Sequence, residues 1–195
     1  MYAYLRGSFR LKSPTSVWVD VQGIGFEVHI SLHTYEAIQS LEEGTLYVYQ
    51  LIKEDAHLLY GFADQSEKEV FLHLLSVSGV GASTARMMLS SLHPSELIRT
   101  IVSGNEAGLE RIKGIGKKTA QRIVLELRDK MAKISTEIST VSPMKHNTLE
   151  QEALIAMTAL GIAKNMAEQA IRKAQQSETA HTQVESLIKA ALKCL

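Results

Sequence analysis

One glycine hairpin, written twice, constrains this chain more than any other feature. Leu74-x-x-Val77-x-Gly79-Val80-Gly81-x-x-Thr84-Ala85 returns 35 residues later as Leu109-x-x-Ile112-x-Gly114-Ile115-Gly116-x-x-Thr119-Ala120. Each copy lies between two segments of helical period, so the repeat reads as one supersecondary unit used in tandem. A glycine accepts positive φ and lets the backbone approach a ligand, while the branched residue between the two glycines points back to anchor the turn. The helix that follows exposes free N–H groups and the positive end of its dipole, which suits a phosphate.

This is the helix-hairpin-helix design, which holds a nucleic-acid backbone without reading bases. The expected DNA-contacting residues are Gly79, Val80, Gly81 and Ser83 in the first copy and Gly114, Ile115, Gly116, Lys117, Lys118 and Arg122 in the second. Gly23-Ile24-Gly25 serves as a control: it sits between alternating strand-like runs, no helix follows it, and it reads as a turn or bulge. Gly114 to Thr119 also imitates an ATP-binding loop, but that loop needs glycine where Arg111 stands and Ser or Thr where Lys118 stands. A P-loop is rejected.

A net charge of zero looks wrong for a DNA binder until it is divided along the chain. Residues 1–63 carry 4 basic and 7 acidic side chains, 64–133 carry 11 and 8, and 134–195 carry 6 and 6. Around the second hairpin Arg111, Lys113, Lys117, Lys118, Arg122, Arg128, Lys130 and Lys133 face only Glu126 and Asp129. That local excess is the footprint of a polyanion partner, although Arg128 to Lys133 reads as a solvated helix face.

With 45% apolar residues the chain can bury real cores. No apolar run approaches the roughly 20 residues of a membrane span, and no signal pattern opens the chain, so a cytoplasmic protein is expected. The single cysteine, Cys194, excludes an internal disulfide, an iron-sulfur cluster and a cysteine zinc site. His29 and His33 have a ligand-like interval but lie at an expected strand end without an acidic companion, so they read as surface histidines. No metal, cofactor or catalytic residue is expected.

Residues 1–63 alternate like β-structure, with Val17, Val19 and Val21, then Phe26, Val28 and Ile30, then Leu46, Val48 and, less regularly, Leu51. A barrel or sandwich of about five strands fits. Asp64 with Glu67 opens a helical region extending to about Lys133. Residues 134–148, rich in Ser and Thr, read as a flexible linker. Thr148 with Gln151 then caps a helix bearing Leu154, Met157 and Leu160 and ended by Gly161, and segments near 164–175 and 182–193 complete a three-helix module over 149–195. The expected fold class is multidomain α+β.

Between the last two strand-like runs lies Lys53-Glu54-Asp55-Ala56-His57, whose carboxylates alone would be ordinary turn residues. The whole order of parts, however, resembles the RuvA family of the bacterial branch-migration machinery. The likeness is most specific in Leu5-Arg6-Gly7, Glu54 to Phe62, Gly79-Val80-Gly81 and Gly114 to Ala120. It implies an OB-fold first domain, a tandem helix-hairpin-helix domain, and a small C-terminal three-helix, UBA-like domain that binds and stimulates the RuvB ATPase. It further implies a homotetramer, with an octamer left open, that holds a four-way (Holliday) junction in open form, and RuvC resolvase as a further partner. By the same resemblance Glu54 and Asp55 form an acidic pin near the junction centre, and Met157, Leu160, Ile162 and, more weakly, Leu192 contact RuvB. Ser83 departs from the pattern, standing where a lysine is common. A DNA glycosylase or lyase, or a passive duplex-binding scaffold, are the competing functions. The first would need a base pocket and an activated Asp or Lys, for which Asp129, 13 residues after Gly116, is poorly placed.

Overall fold

The computed structural model describes residues 1–139, 149–176 and 183–194. It divides into two compact units, Met1–Ser139 and Thr140–Leu195. Among the described residues no helix is long and apolar enough to cross a membrane.

The first unit begins as a closed five-stranded barrel of the OB kind, built from β1 (Tyr4–Ser13), β2 (Ser16–Val21), β3 (Ile24–Ile30), β4 (Glu43–Ile52) and β5 (His57–Phe62) in the order β1-β2-β3-β5-β4. Neighbours pair antiparallel except β3 and β5, which run parallel, and β4 closes the ring against β1. The alternating residues point inward: Val17, Val19, Val28, Ile30, Leu46 and Val48 are all buried with Leu5 and Phe9. The Gln22-Gly23 turn has positive φ at both positions, 52° and 89°, which matches the twist of the β2–β3 hairpin. Gly7 is held by a close approach of strands, because a Cβ there would stand 2.1 Å from the Asp20 carbonyl oxygen.

Leu51 breaks the β4 alternation for a physical reason. Tyr47, Tyr49 and Leu51 form the outward face of β4 and pack, with Leu58, Tyr60 and Phe62 of β5, into a second core made mainly by helices. Both faces of this strand pair are therefore apolar.

A short helix, α1 (Leu32–Ile38), interrupts the strands between β3 and β4; Ser31 caps it by accepting the Thr34 N–H at 3.0 Å. His33 therefore sits on a helix and not at a strand end. The helical region follows as α2 (Gln65–Leu75), α3 (Ala82–Ser91), α4 (Pro94–Val102), α5 (Glu106–Glu110) and α6 (Lys117–Ser139). Asp64 caps α2 through the Glu67 N–H at 2.7 Å. Glu67 does not return the bond as a capping box would. Its carboxylate is fully buried and accepts the hydroxyls of Ser31 and, at 2.6 Å, Thr34, which ties α2 to α1.

His33 also acquires the acidic company its sequence neighbourhood lacks, with Asp64 at 3.6 Å. Asp64 holds the imidazole above its usual pKa, and His33 holds the Asp64 carboxyl below its own. Burial pushes Glu67 up against the pull of its hydroxyl donors. The three side chains offer ligand atoms within 4.8 Å of one another. Both Glu67 oxygens are already engaged, so the arrangement works as a clasp between barrel and helices.

Helix α6 runs six residues into the segment read as linker. Ile123, Leu127, Met131 and Ile134 are all buried, continuing one apolar stripe past Lys133. The rest of that segment, 140–148, including the Thr148 cap, lies outside the described residues.

The second unit contains α7 (Leu149–Ala159), α8 (Lys164–Gln176) and α9 (Val184–Leu192). Gly161 ends the first of these regions with φ of 88°. Its core is mostly small: Ala153, Met157, Ala167, Ala170, Ile171, Ala174, Leu187 and Ala191.

Candidate nucleic-acid interface

The two hairpins have nearly the same geometry. Gly79 and Gly114 have φ of 93° and 92°, a region that disfavours any side chain. Val80 and Ile115 are each 5% exposed, and each donates its N–H at 3.0 Å to a carbonyl three residues back, Val77 or Ile112. Behind them Leu74 and Leu109, Ala85 and Ala120, and Met88 and Ile123 occupy matching buried positions. The branched residue is thus the anchor and the glycines are the outer surface. A Cβ built on Gly79, Gly81, Gly114 or Gly116 would meet nothing within 4 Å, so these backbones face open space.

Gly81 precedes helix α3 as its N-cap without a side chain to cap it, and the first helical bond is the Ala85 N–H to the Gly81 carbonyl at 2.8 Å. In α6 the equivalent bond is Ala120 to Gly116 at 2.9 Å. The N–H groups ahead of these bonds have no acceptor within the helix, and the glycines beside them face open space. That is an anion-binding geometry in duplicate.

The side chains differ. Lys117 and Lys118 are exposed in the first turn of α6, whereas Ala82 is buried and Ser83 is exposed without charge. Arg122 is half-exposed, and its guanidinium donates to the Ser78 carbonyl at 3.1 Å, with Glu126 at 3.9 Å. The sequence suggests Arg122 as a DNA contact; its position also makes it a bridge between the second helix and the first hairpin. Arg128, though exposed, likewise donates to the Val102 carbonyl at 3.1 Å.

Glu54 and Asp55 are exposed at the tip joining β4 to β5, where the Lys53 N–H bonds the Ala56 carbonyl at 2.8 Å. Their stem is the strand pair whose outer face enters the helical core. The carboxylates are thus carried by the same compact unit as the hairpins.

In the second unit Met157 is fully buried among alanines. It is core, and as a partner contact it is corrected: its helical spacing reflects packing. Leu160 is 67% exposed and Leu192 41%, while Ile162 is half-buried and donates its N–H to the Met157 carbonyl at 3.2 Å. Ile155 and Met166 are also exposed and were not singled out in the sequence, since nothing distinguishes them there from core positions.

Similarity to known proteins agrees with this layout. The family model described as RuvA N terminal domain matches residues 1–61, a SAM-like helix-hairpin-helix tandem matches 71–129, and the RuvA C-terminal domain matches 148–195. A protein of Flavobacterium psychrophilum is 45% identical over the full length of both chains, and one of Cytophaga hutchinsonii is 44% identical over 99% of each. One from Bacteroides fragilis is 43% identical, again over both full lengths. All three are named Holliday junction branch migration complex subunit RuvA. With the barrel, the paired hairpins and the three-helix module each matched in order, the chain belongs to the RuvA family.

Proposed function

We propose that this protein is the DNA-binding subunit of a branch-migration complex, holding four-way junctions through phosphate contacts. The observation that carries this reading is the pair of hairpins with matching backbone geometry, each with its glycines facing open space at the start of a helix. Backbone N–H groups and lysines recognise phosphates without regard to sequence, as a protein that moves along DNA requires. Glu54 and Asp55 supply the opposite sign. Carboxylates beside phosphates repel them by about 1 kcal/mol or less per pair at water-like dielectric, which disfavours continuous duplex at the centre and guides strand separation.

The chain works as a binding subunit without an ATPase of its own. Its Gly114–Thr119 stretch joins helix α5 to helix α6, whereas a P-loop joins a strand to a helix. The motor is a separate RuvB ATPase, docked on the second unit through Leu160, Ile162 and Leu192. The working assembly is a homotetramer in the cytoplasm, with RuvC as a further partner.

A gel shift at stated salt comparing a four-way junction, a fork and a linear duplex tests the central claim. Junction binding well above duplex binding is expected; equal affinity for all three would leave only a passive duplex-binding scaffold. For the motor, removal of residues 149–195 should spare junction binding and abolish RuvB-driven branch migration, and Ile162→Asp should reproduce much of that loss by placing an unpaired charge at the contact. Full motor stimulation by the truncated protein would remove this role from the module.

A further inference from the structure

Beneath the acidic tip, a cleft of about 420 Å3 opens between the β4–β5 stem and the start of α3. Tyr49, Leu51, Lys53 and Tyr60 line one side, and Gly81 and Ser83 the other. Tyr49 and Tyr60 are cross-strand partners, and both rings pack on Phe71, with centroids 5.7 and 5.4 Å away. Tyr60 is only 4% exposed, yet its hydroxyl makes no hydrogen bond among the described residues. A buried phenol ordinarily finds a partner, so a hydroxyl left open on a cleft wall is placed for an incoming acceptor. Across the cleft, α3 presents N–H groups that have no acceptor in the helix, and Lys53 adds a cation.

An aromatic wall with a hydroxyl donor, facing an anion-binding helix end, is the chemistry of one nucleotide: a planar base with a phosphate. The volume lies within the range of small-ligand sites. We propose that this cleft receives a single nucleotide displaced from its pair where strands part beside Glu54 and Asp55, its base stacked on the half-buried Tyr49 ring with the Tyr60 hydroxyl at its edge, and its phosphate toward the α3 N-terminus and Lys53. The proposal rests on the junction-binding reading and deepens it. Base–aromatic stacking is tolerant of sequence, as migration through any sequence demands. The cleft also gives Ser83 a role, since this exposed lining residue is short and uncharged where the second hairpin carries Lys118.

The test uses two four-way junctions that differ only in one unpaired 2-aminopurine at the crossover, with affinity and fluorescence read for the full-length protein. The wild type should bind the unpaired junction more tightly than the paired one and quench the probe. Tyr49→Leu should reduce that preference about fivefold or more and leave the probe bright. Tyr60→Phe, which keeps the ring and the fold, should reduce the preference by a smaller factor through the hydroxyl alone. An unchanged preference and unchanged quenching in both variants would overturn the cleft while leaving junction binding in place. A wild type that fails to separate a paired four-way junction from duplex would overturn the reading beneath it, and the cleft with it.

Discussion

Compared at their 35-residue offset, the hairpins at Gly79–Gly81 and Gly114–Gly116 share φ, anchor burial and helix geometry, yet Ala82 and Ser83 follow one and Lys117 and Lys118 the other. Backbone conformation is held constant by what must fit behind it, a branched anchor and a buried alanine. Charge is free to vary because it projects into solvent. The pair therefore separates two contributions that usually coincide: oriented N–H groups, present in both copies, and mobile cations, concentrated in one. Arg122 links them, since it grows from the charged copy and holds the Ser78 carbonyl of the uncharged one.

The strongest way to break the equivalence is at the glycines. Gly79→Ala and Gly114→Ala should each destabilise the first unit by about 1–3 kcal/mol, because each forces a side chain into positive φ. Urea melts of the two variants should agree closely; a markedly smaller cost at one site would show that its turn relaxes and that the copies are not equivalent. Next in size is the charge difference. Lys117→Ala with Lys118→Ala should flatten the slope of log affinity against log salt by roughly two units or less, with a loss of about tenfold in affinity at low salt. The salt titration decides it, and an unaltered slope in the folded variant would take these lysines off the phosphates.

The reverse substitution sharpens the contrast. Ser83→Lys should steepen the same slope by about one unit and tighten binding of a fully paired junction about threefold at low salt. No change would mean that the first hairpin reaches DNA through its backbone alone.

The smallest effect concerns the clasp that holds both hairpins to the barrel. The raised pKa of His33 makes its contribution full below about pH 6.5 and lost as pH rises through the folded value; the lowered pKa of Asp64 makes its share present above about pH 3.8 and lost as pH falls through its folded value. Wild type should therefore lose roughly 1–3 °C of melting temperature relative to His33→Gln between pH 6 and pH 8.5, a small shift because Asp64 is half-exposed. Parallel melting curves across that range would exclude the pair from the linkage.

Much of this architecture was legible from spacing. The duplicated hairpin declared itself because glycine and anchor requirements are local, and the barrel declared itself because one face of each strand is buried. Glu67 was legible only in part. Its place after Asp64 is that of a capping residue, but its partners, Ser31 and Thr34, are the cap and a member of a seven-residue helix too short to show periodicity. The end of α6 was misread because Ser and Thr composition outweighed Ile134, which continues the stripe of Ile123, Leu127 and Met131. Met157 carried no local sign separating a core position from a partner contact. The Tyr49–Tyr60 cleft depends on strand pairing and on the position of α3, neither of which any single segment encodes.

Strand β5 gives Leu59 to the barrel interior and Leu58, Tyr60 and Phe62 to the helical interior. One strand is thus a wall common to two rooms. Loosening either interior exposes apolar surface in the other, so the barrel and the helices should melt in one calorimetric transition. A force applied at Glu54 and Asp55 would be carried along β4 and β5 into both interiors at once, and the separation between the acidic tip and the two glycine turns would act as a fixed gauge.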